Sequence, residues 1–354
     1  MAKYFVRRLA WIIPVIFVVA GITFILMHAA PGGPWDRDPE RRQVDPTTQK
    51  LLNERYNLDQ DPGQQFVSYM LVDVKEGKTP GVGTLDLGLL GTYTIGDKAG
   101  SKVVCGALCG NLGPSYRQRG RDVENILFDI PPGKSILESR FGYSLRLGLL
   151  ALIFSILVGI PIGILAALRQ NTRFDYISMF AGTIGVSIPN FVMGIFLIFI
   201  LATGLKLIPV LPTSWDEPGV WIIPTLVLGF GTLAFTARLT RASMLEVMRQ
   251  DYIRTARAKG LPERDVIFGH MIKNAMIPVV TILGPALAGL VTGSFIIETM
   301  FGFPGIGREY VTSISNRDYS MIMGTTLIYA VLIALANLSV DLVYGLLDPR
   351  IKVE

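Results

Sequence analysis

The chain has only two cysteines, Cys105 and Cys109, and two histidines, His28 and His270, in 354 residues. That scarcity excludes a disulfide-rich scaffold and a cysteine-based zinc cluster, and leaves little for a histidine metal site. No metal is expected. Charge is thin as well: Asp, Glu, Lys and Arg make up 17% of the chain, against roughly 25% in an average soluble domain. That balance argues against a single soluble globule. Disorder is excluded from the other side, because 50% of the residues are hydrophobic and disordered chains are poor in such residues. Internal repeats and long low-complexity tracts are missing. The formal charge of +5 would point a soluble protein toward nucleic acid. Here the placement of the charges outweighs their sum, and no nucleic-acid partner is expected.

Long apolar runs are what the chain has in abundance. A bilayer core about 30 Å thick needs around 20 apolar residues of helix. Six segments meet that length: Leu9 to Ala30, Leu145 to Leu168, Tyr176 to Thr203, Val220 to Ala237, Met276 to Ile297 and Met321 to Leu347. Each is uniformly apolar rather than striped at a helical period, as lipid on most sides requires. Because hydrocarbon offers no hydrogen bonds to the backbone, the spans are expected to be helices. The first run follows Lys3, Arg7 and Arg8, as in a signal peptide. Its apolar stretch exceeds the roughly 7–15 residues of such a signal, and five more spans follow, so it is expected to stay.

Lys and Arg recur in alternate connections. After Lys3, Arg7 and Arg8 come Arg169 and Arg173, then Arg238, Arg241, Arg249, Arg254, Arg257, Lys259, Arg264 and Lys273, then Arg350 and Lys352. With six spans these all fall on one side, which the positive-inside rule makes cytoplasmic, both termini included. The expected fold class is an all-α polytopic membrane protein with six transmembrane helices and an exported soluble insertion between the first two. Its expected parts are a cytoplasmic N-terminus with the first span (1–30), the exported insertion (31–143), a five-helix core containing a cytoplasmic loop at 238–275 (144–347), and a cytoplasmic tail (348–354). An oxidising outer compartment would allow a Cys105–Cys109 disulfide; two free thiols are the alternative.

The cytoplasmic loop Ala242 to Pro262 is the most informative stretch. Its local signals give two short helices around a turn. Asp251 suits the first N-cap, Arg257 and Lys259 suit the last turn, and Gly260 supplies a left-handed stop. Pro262 suits the first position of the next helix, with Pro278 expected to open the fifth span. A short basic helix of this kind fits a groove on a soluble partner or an anionic lipid surface, and the residues alone leave both open. Ser187, Pro189 and Asn190 interrupt the third span, either facing a water-filled path or making a packing kink. Glu298 and Asp341 are costly in lipid and should face partners or water. Glu298, near the outer end of its span, fits an external gate, whereas Asp341 fits a structural pairing. Pro132-Gly-Lys-Ser135 looks like the end of a phosphate loop, but Phe128 stands where the earlier glycine is needed. With no zinc-protease motif or nucleophile elbow either, the chain is not expected to be a catalyst.

The segment Asp251-Tyr-Ile-Arg-Thr-Ala-Arg-Ala-Lys-Gly-Leu261, followed by His270, Asn274-Ala275 and Pro278, resembles the cytoplasmic loop of dipeptide and oligopeptide ABC transporter permeases. His28-Ala-Ala-Pro-Gly32, Asp86-Leu-Gly88, Ser187-Ile-Pro189, Glu298-Thr-Met-Phe301, Arg317-Asp-Tyr319 and Asp348-Pro-Arg350 extend the resemblance over nearly the whole chain except about 89–130. Pro304-Gly-Ile-Gly307 and the opening residues resemble the first of two paired permeases. The resemblance implies an ABC importer permease fold in a bacterial plasma (inner) membrane, in contact with membrane lipid. It also implies a second homologous permease, two ABC ATPase subunits, an extracytoplasmic substrate-binding protein and a peptide substrate. No cofactor would sit in this chain; ATP and Mg would be bound by the partner ATPases. Asp251, Tyr252, Ile253, Arg254, Thr255, Ala256, Arg257, Ala258, Lys259, Gly260 and Leu261 would form the ATPase-coupling element. Ser187, Pro189, Asn190 and Glu298 would lie on the translocation path or its gate. Nickel, glutathione or oligosaccharide transport within the same family is the nearest alternative. An ion-driven secondary transporter would be expected to show inverted repeats and midplane ionisable residues, which the sequence lacks. A membrane sensor with a ligand-binding exported domain is the third class.

Overall fold

The computed structural model describes residues 2–35, 45–56, 58–76, 84–86, 92–94, 101–118, 121–130, 135–206, 214–292 and 294–347. Pro132-Gly-Lys134, the tail from Asp348 and the side chain of Asp341 lie outside the described residues. Helix α1 (Ala2–Ala29) opens the chain. Between it and the second span come α2 (Pro46–Arg55), α3 (Pro62–Met70), four short strands and α4 (Val123–Leu127). The apolar part continues with α5 (Arg140–Leu168), α6 (Arg173–Ser187) and α7 (Asn190–Leu197), the last prolonged by a π-helical turn, Ile198–Gly204. Helices α8 (Ile222–Met248) and α9 (Asp251–Ala258) follow, and α10 (Glu263–Asp265) runs through π-helical Val266–Met271 into α11 (Ile272–Val291). Then come α12 (Phe295–Met300), α13 (Ile306–Asn316) and α14 (Tyr319–Leu347).

Among the described residues, five helical stretches are long and apolar enough to cross a membrane: Arg7–Ala29, Arg140–Leu168, Pro218–Met248, Glu263–Val291 and Tyr319–Val340. The chain is a multi-pass membrane protein. A sixth crossing exists if α6 and α7 count as one, but their axes differ by 109°. The interruption expected at Ser187, Pro189 and Asn190 is thus a sharp break in the third span. Pro189 has no N–H to donate, and it pushes Ile188 into an extended conformation (φ −81°, ψ 124°). A new helix then starts with Pro189 as its N-cap. The fifth span is corrected. Its helix already begins at Glu263, carries Pro278 and Pro285 inside, and ends at Val291. Glu298 therefore lies beyond it, in α12, where the Ser294 hydroxyl accepts the Ile297 N–H.

The chain divides into two compact units. One holds residues 1–9, 142–308 and 332–354. Close approach of small residues holds its helices together, as expected where lipid removes the hydrophobic drive. A Cβ on Gly148 would stand 2.7 Å from the Val291 nitrogen, and one on Gly163 would stand 2.5 Å from the Ala237 carbonyl oxygen. The Ser155 hydroxyl lies within 2.8 Å of the Gly229 carbonyl and 2.7 Å of the Ala151 carbonyl. Tyr143, Trp215, Trp221 and Phe303 form a mostly edge-to-face aromatic cluster, and the Arg146 guanidinium sits about 5 Å from the Tyr143 and Trp221 ring centres.

The other unit holds Ala10–Phe141 and Glu309–Val331. The all-α expectation holds for the membrane part, while this unit adds strands β1 (Val72–Glu76), β2 (Thr84–Asp86), β3 (Thr92–Thr94) and β4 (Ser101–Cys105). They form one sheet in the order β1-β4-β2-β3. Strands β1 and β4 pair antiparallel, with Val72 opposite Cys105, and β2 and β4 pair parallel, with Leu85 opposite Val103. Cys105 and Cys109 are joined by a disulfide across the turn that follows β4, their Cα atoms 5.8 Å apart. The unit is pinned at Asp318, which is buried. Its carboxylate accepts from the Ser115 hydroxyl (2.5 Å) and from the N–H groups of Tyr116 (3.1 Å), Arg117 (3.2 Å) and Met321 (3.2 Å). Beside it, Trp35, Tyr56 and Tyr319 gather around the Tyr116 ring, Trp35 stacked on it and the other two tilted. Asp318→Ala strands several donors at once, each worth about 1–3 kcal/mol when left buried and unbonded. Trypsin cleavage at Arg117 and Arg121 is expected to speed up by at least about tenfold, the ratio that 1.4 kcal/mol from a single stranded donor represents; an unchanged rate would contradict the pinning role.

Candidate functional site

The segment between α8 and α11 is a short helix with two unlike faces. Gln250, in an extended conformation, is the N-cap of α9. Asp251, expected to cap it, is instead the first helical residue, where its charge suits the positive end of the helix dipole. The Thr255 hydroxyl donates to the Asp251 carbonyl (2.9 Å), and Arg254 reaches the Asp251 carboxylate at 3.5 Å. Ile253 and Ala256, three residues apart, both turn inward. They pack with Ala167, Met244, Val266, Met271 and Ala275 in one apolar cluster. Ala256, one of the residues of the expected coupling element, faces the spans.

The opposite face is open. Tyr252, Arg254, Thr255, Arg257, Ala258, Lys259, Gly260 and Leu261 are exposed. Partial burial raises the Tyr252 phenol above its ordinary pKa and leaves much of its ring accessible. The helix ends as the sequence requires: Gly260 has φ +76°, with its N–H on the Arg257 carbonyl and the Leu261 N–H on the Ala256 carbonyl. Pro262 caps the next helix from outside rather than occupying its first turn. Arg257 closes the corner with two bonds to the Glu263 carboxylate, at 2.7 and 3.2 Å, and that carboxylate holds the guanidinium pKa above its usual range. No acid, base or nucleophile is arranged for chemistry in this segment. The arrangement is mechanical: a rigid knob seated on the ends of three long helices, presenting an aromatic ring and basic side chains outward.

The other expected site residues are not brought together with it. Ser187, Pro189 and Asn190 lie exposed at the break between α6 and α7, and the Ser187 hydroxyl donates to the Thr183 carbonyl (2.8 Å). Glu298, expected on the path or its gate, is an internal staple in this structure. It is fully buried, and its carboxylate accepts from the Ser144 hydroxyl (3.0 Å) and the Arg308 N–H (2.7 Å). Gly305 passes so close that a Cβ there would stand 2.4 Å from both Glu298 and Ser144. Burial forces this carboxylate to use neighbouring donors, and it thereby fixes the loop that follows α12.

Asp175 is a residue that sequence reasoning missed. It is buried in the first turn of α6 and accepts two bonds from Arg241 of α8, Nε at 2.5 Å and Nη2 at 2.7 Å. It also accepts the Asn171 N–H (3.0 Å). The available signal was a single acid inside an otherwise basic inner segment.

Residues 159–353 match the family described as "Binding-protein-dependent transport system inner membrane component". The dipeptide transport system permease protein DppB of Bacillus subtilis (strain 168) is 37% identical over 99% of this chain and 98% of its own length. The oligopeptide transport system permease protein OppB of Salmonella typhimurium is 33% identical over 99% of this chain and 100% of its own. A solved MetNI methionine ABC transporter in inward-facing conformations aligns with 59% of this chain and 94% of its own, at 18% identity and a TM-score of 0.47.

Ile253→Asp is expected to release α9 from the spans, because a carboxylate cannot stay in that apolar cluster. Trypsin cleavage at Arg254, Arg257 and Lys259 should then rise about tenfold, the factor that 1.4 kcal/mol of local opening gives, while Tyr252→Ala leaves it within about twofold. Equal rates in the two variants would contradict the two-faced packing.

Proposed function

The chain belongs to the family of binding-protein-dependent transport system inner membrane components, and from that premise we propose that it is the permease subunit of an ATP-driven ABC importer of dipeptides or oligopeptides in a bacterial plasma membrane. Both termini and the α8–α11 connection lie in the cytoplasm, following the Lys and Arg distribution. A second homologous permease completes the path, two ABC ATPases bind ATP and Mg, and an extracytoplasmic binding protein delivers the peptide. The region between the first two spans lies outside. The substrate class follows from the relatives, whose names specify dipeptides and oligopeptides.

Helix α9 is the coupling helix. The observation that carries this reading is its division of labour. Ile253 and Ala256 seal it to the spans, while Tyr252 and the basic side chains remain open to a groove on a soluble partner. Closure of the nucleotide-loaded ATPases displaces α9, and its sealed face carries the displacement into α8 and α11. ATP thereby biases a two-state membrane element between inward and outward arrangements. Gly260 makes the corner stiff, because its left-handed conformation ends α9 without fraying.

Reconstitution of the whole complex in proteoliposomes tests this reading. ATP-dependent dipeptide uptake is expected for the wild type. Gly260→Pro, which cannot adopt φ +76°, should lower uptake to background while the chain still inserts and assembles. Wild-type uptake driven by an ion gradient without the ATPases, or full uptake by Gly260→Pro, would refute it.

A further inference from the structure

Helix α6 lies along α8 in antiparallel fashion, and three levels of contact mark the seam. At one end Asp175 meets Arg241. Midway, a Cβ on Gly182 would stand 3.4 Å from the Arg238 side chain and 3.6 Å from the Ala234 carbonyl. At the far end a Cβ on Gly185 would stand 2.9 Å from both Ala234 and Phe230. The same seam then reaches Asn190, 3.6 Å from a Cβ placed on Gly231. The middle of α8, at Gly231, therefore lies beside the break at Pro189. Its C-terminal end, Met248, stops three residues before α9 begins at Asp251.

From this geometry we infer that Asp175 and Arg241 are positioning residues that lock α6 to α8, so that the two helices move as one lever from the coupling helix to the break at Pro189. The inference rests on the coupling reading above. A bidentate guanidinium–carboxylate pair fixes relative orientation as well as distance. Asp175 also holds the Asn171 N–H, which ties the α5–α6 corner to the same point. The lever spans α8 from Phe230 to Met248, about 27 Å at 1.5 Å per residue. The glycine contacts bring the two helices close, and the ion pair adds a directional fastening that fixes their register.

A pair that merely keeps two buried charges satisfied can be replaced by a neutral pair without loss; a lock cannot. The test is Asp175→Asn with Arg241→Gln in one chain, assembled in the complete complex and reconstituted. Peptide uptake per ATP hydrolysed is expected to fall about tenfold while ATPase activity stays within about twofold of wild type, a range set by typical coupling energies. Unchanged uptake per ATP would overturn the inference. A second variant covers loss of assembly: Gly182→Cys with Arg238→Cys, oxidised to tie α6 to α8 covalently. If the helices move together, the tied complex keeps uptake within about twofold of the two single-cysteine controls; loss of uptake on oxidation would overturn the lock. A wild-type complex without ATP-dependent uptake would overturn the coupling reading and the inference with it.

Discussion

Inside hydrocarbon neither a peptide group nor a charge can be left without a partner, and the rest of this molecule follows from how that demand is met. Peptide groups are satisfied within long helices. The few buried charges are met by very specific neighbours: Asp175 by Arg241 and the Asn171 N–H, and Glu298 by Ser144 and the Arg308 N–H. Each of these acids sits where the chain changes direction. The charge thus serves as a fastener at a corner, and the apolar residues around it are free to supply close packing.

The same demand explains why motion in this chain should be lever-like. Helices that approach closely at Gly148, Gly163 and Gly185 have interlocking surfaces, and packed interiors of this density transmit displacement instead of absorbing it. The soft point is the break at Ile188 and Pro189, where the helical ladder is interrupted. Helix α9 stands at the other extreme. Its eight residues are too few to hold a helix alone, so its rigidity comes from Ile253 and Ala256 resting on the long helices and from the Arg257–Glu263 clasp. A partner pressing on its open face pushes on the spans directly.

Much of this was legible from residues alone. Span lengths are set by composition, Gly260 announces a left-handed stop, and Pro189 announces a break, because each depends on local sterics. What escaped depends on distant groups. Whether Ala256 faces inward or outward is decided by Met244, Val266 and Met271, not by its own neighbours in sequence. Glu298 looked like a gate because its burial against Ser144, 154 positions away, leaves no local mark. Asp175 was hidden for the same reason, since Arg241 counted only as one more inner charge. The strands at 72–105 were missed because they are three to five residues long, and such short runs carry too little periodicity to register.

The central claim is that the open face of α9 is seated against an ATPase while the spans rest on its sealed face. The most direct measurement places a photoreactive phenylalanine analogue at Tyr252 in the assembled complex and identifies what it captures on illumination. A covalent adduct with the ATPase subunit, whose yield changes between nucleotide-free and ATP-trapped states, is the predicted result. Capture of lipid alone, or labelling of that position from the outer face of the membrane, would contradict the account.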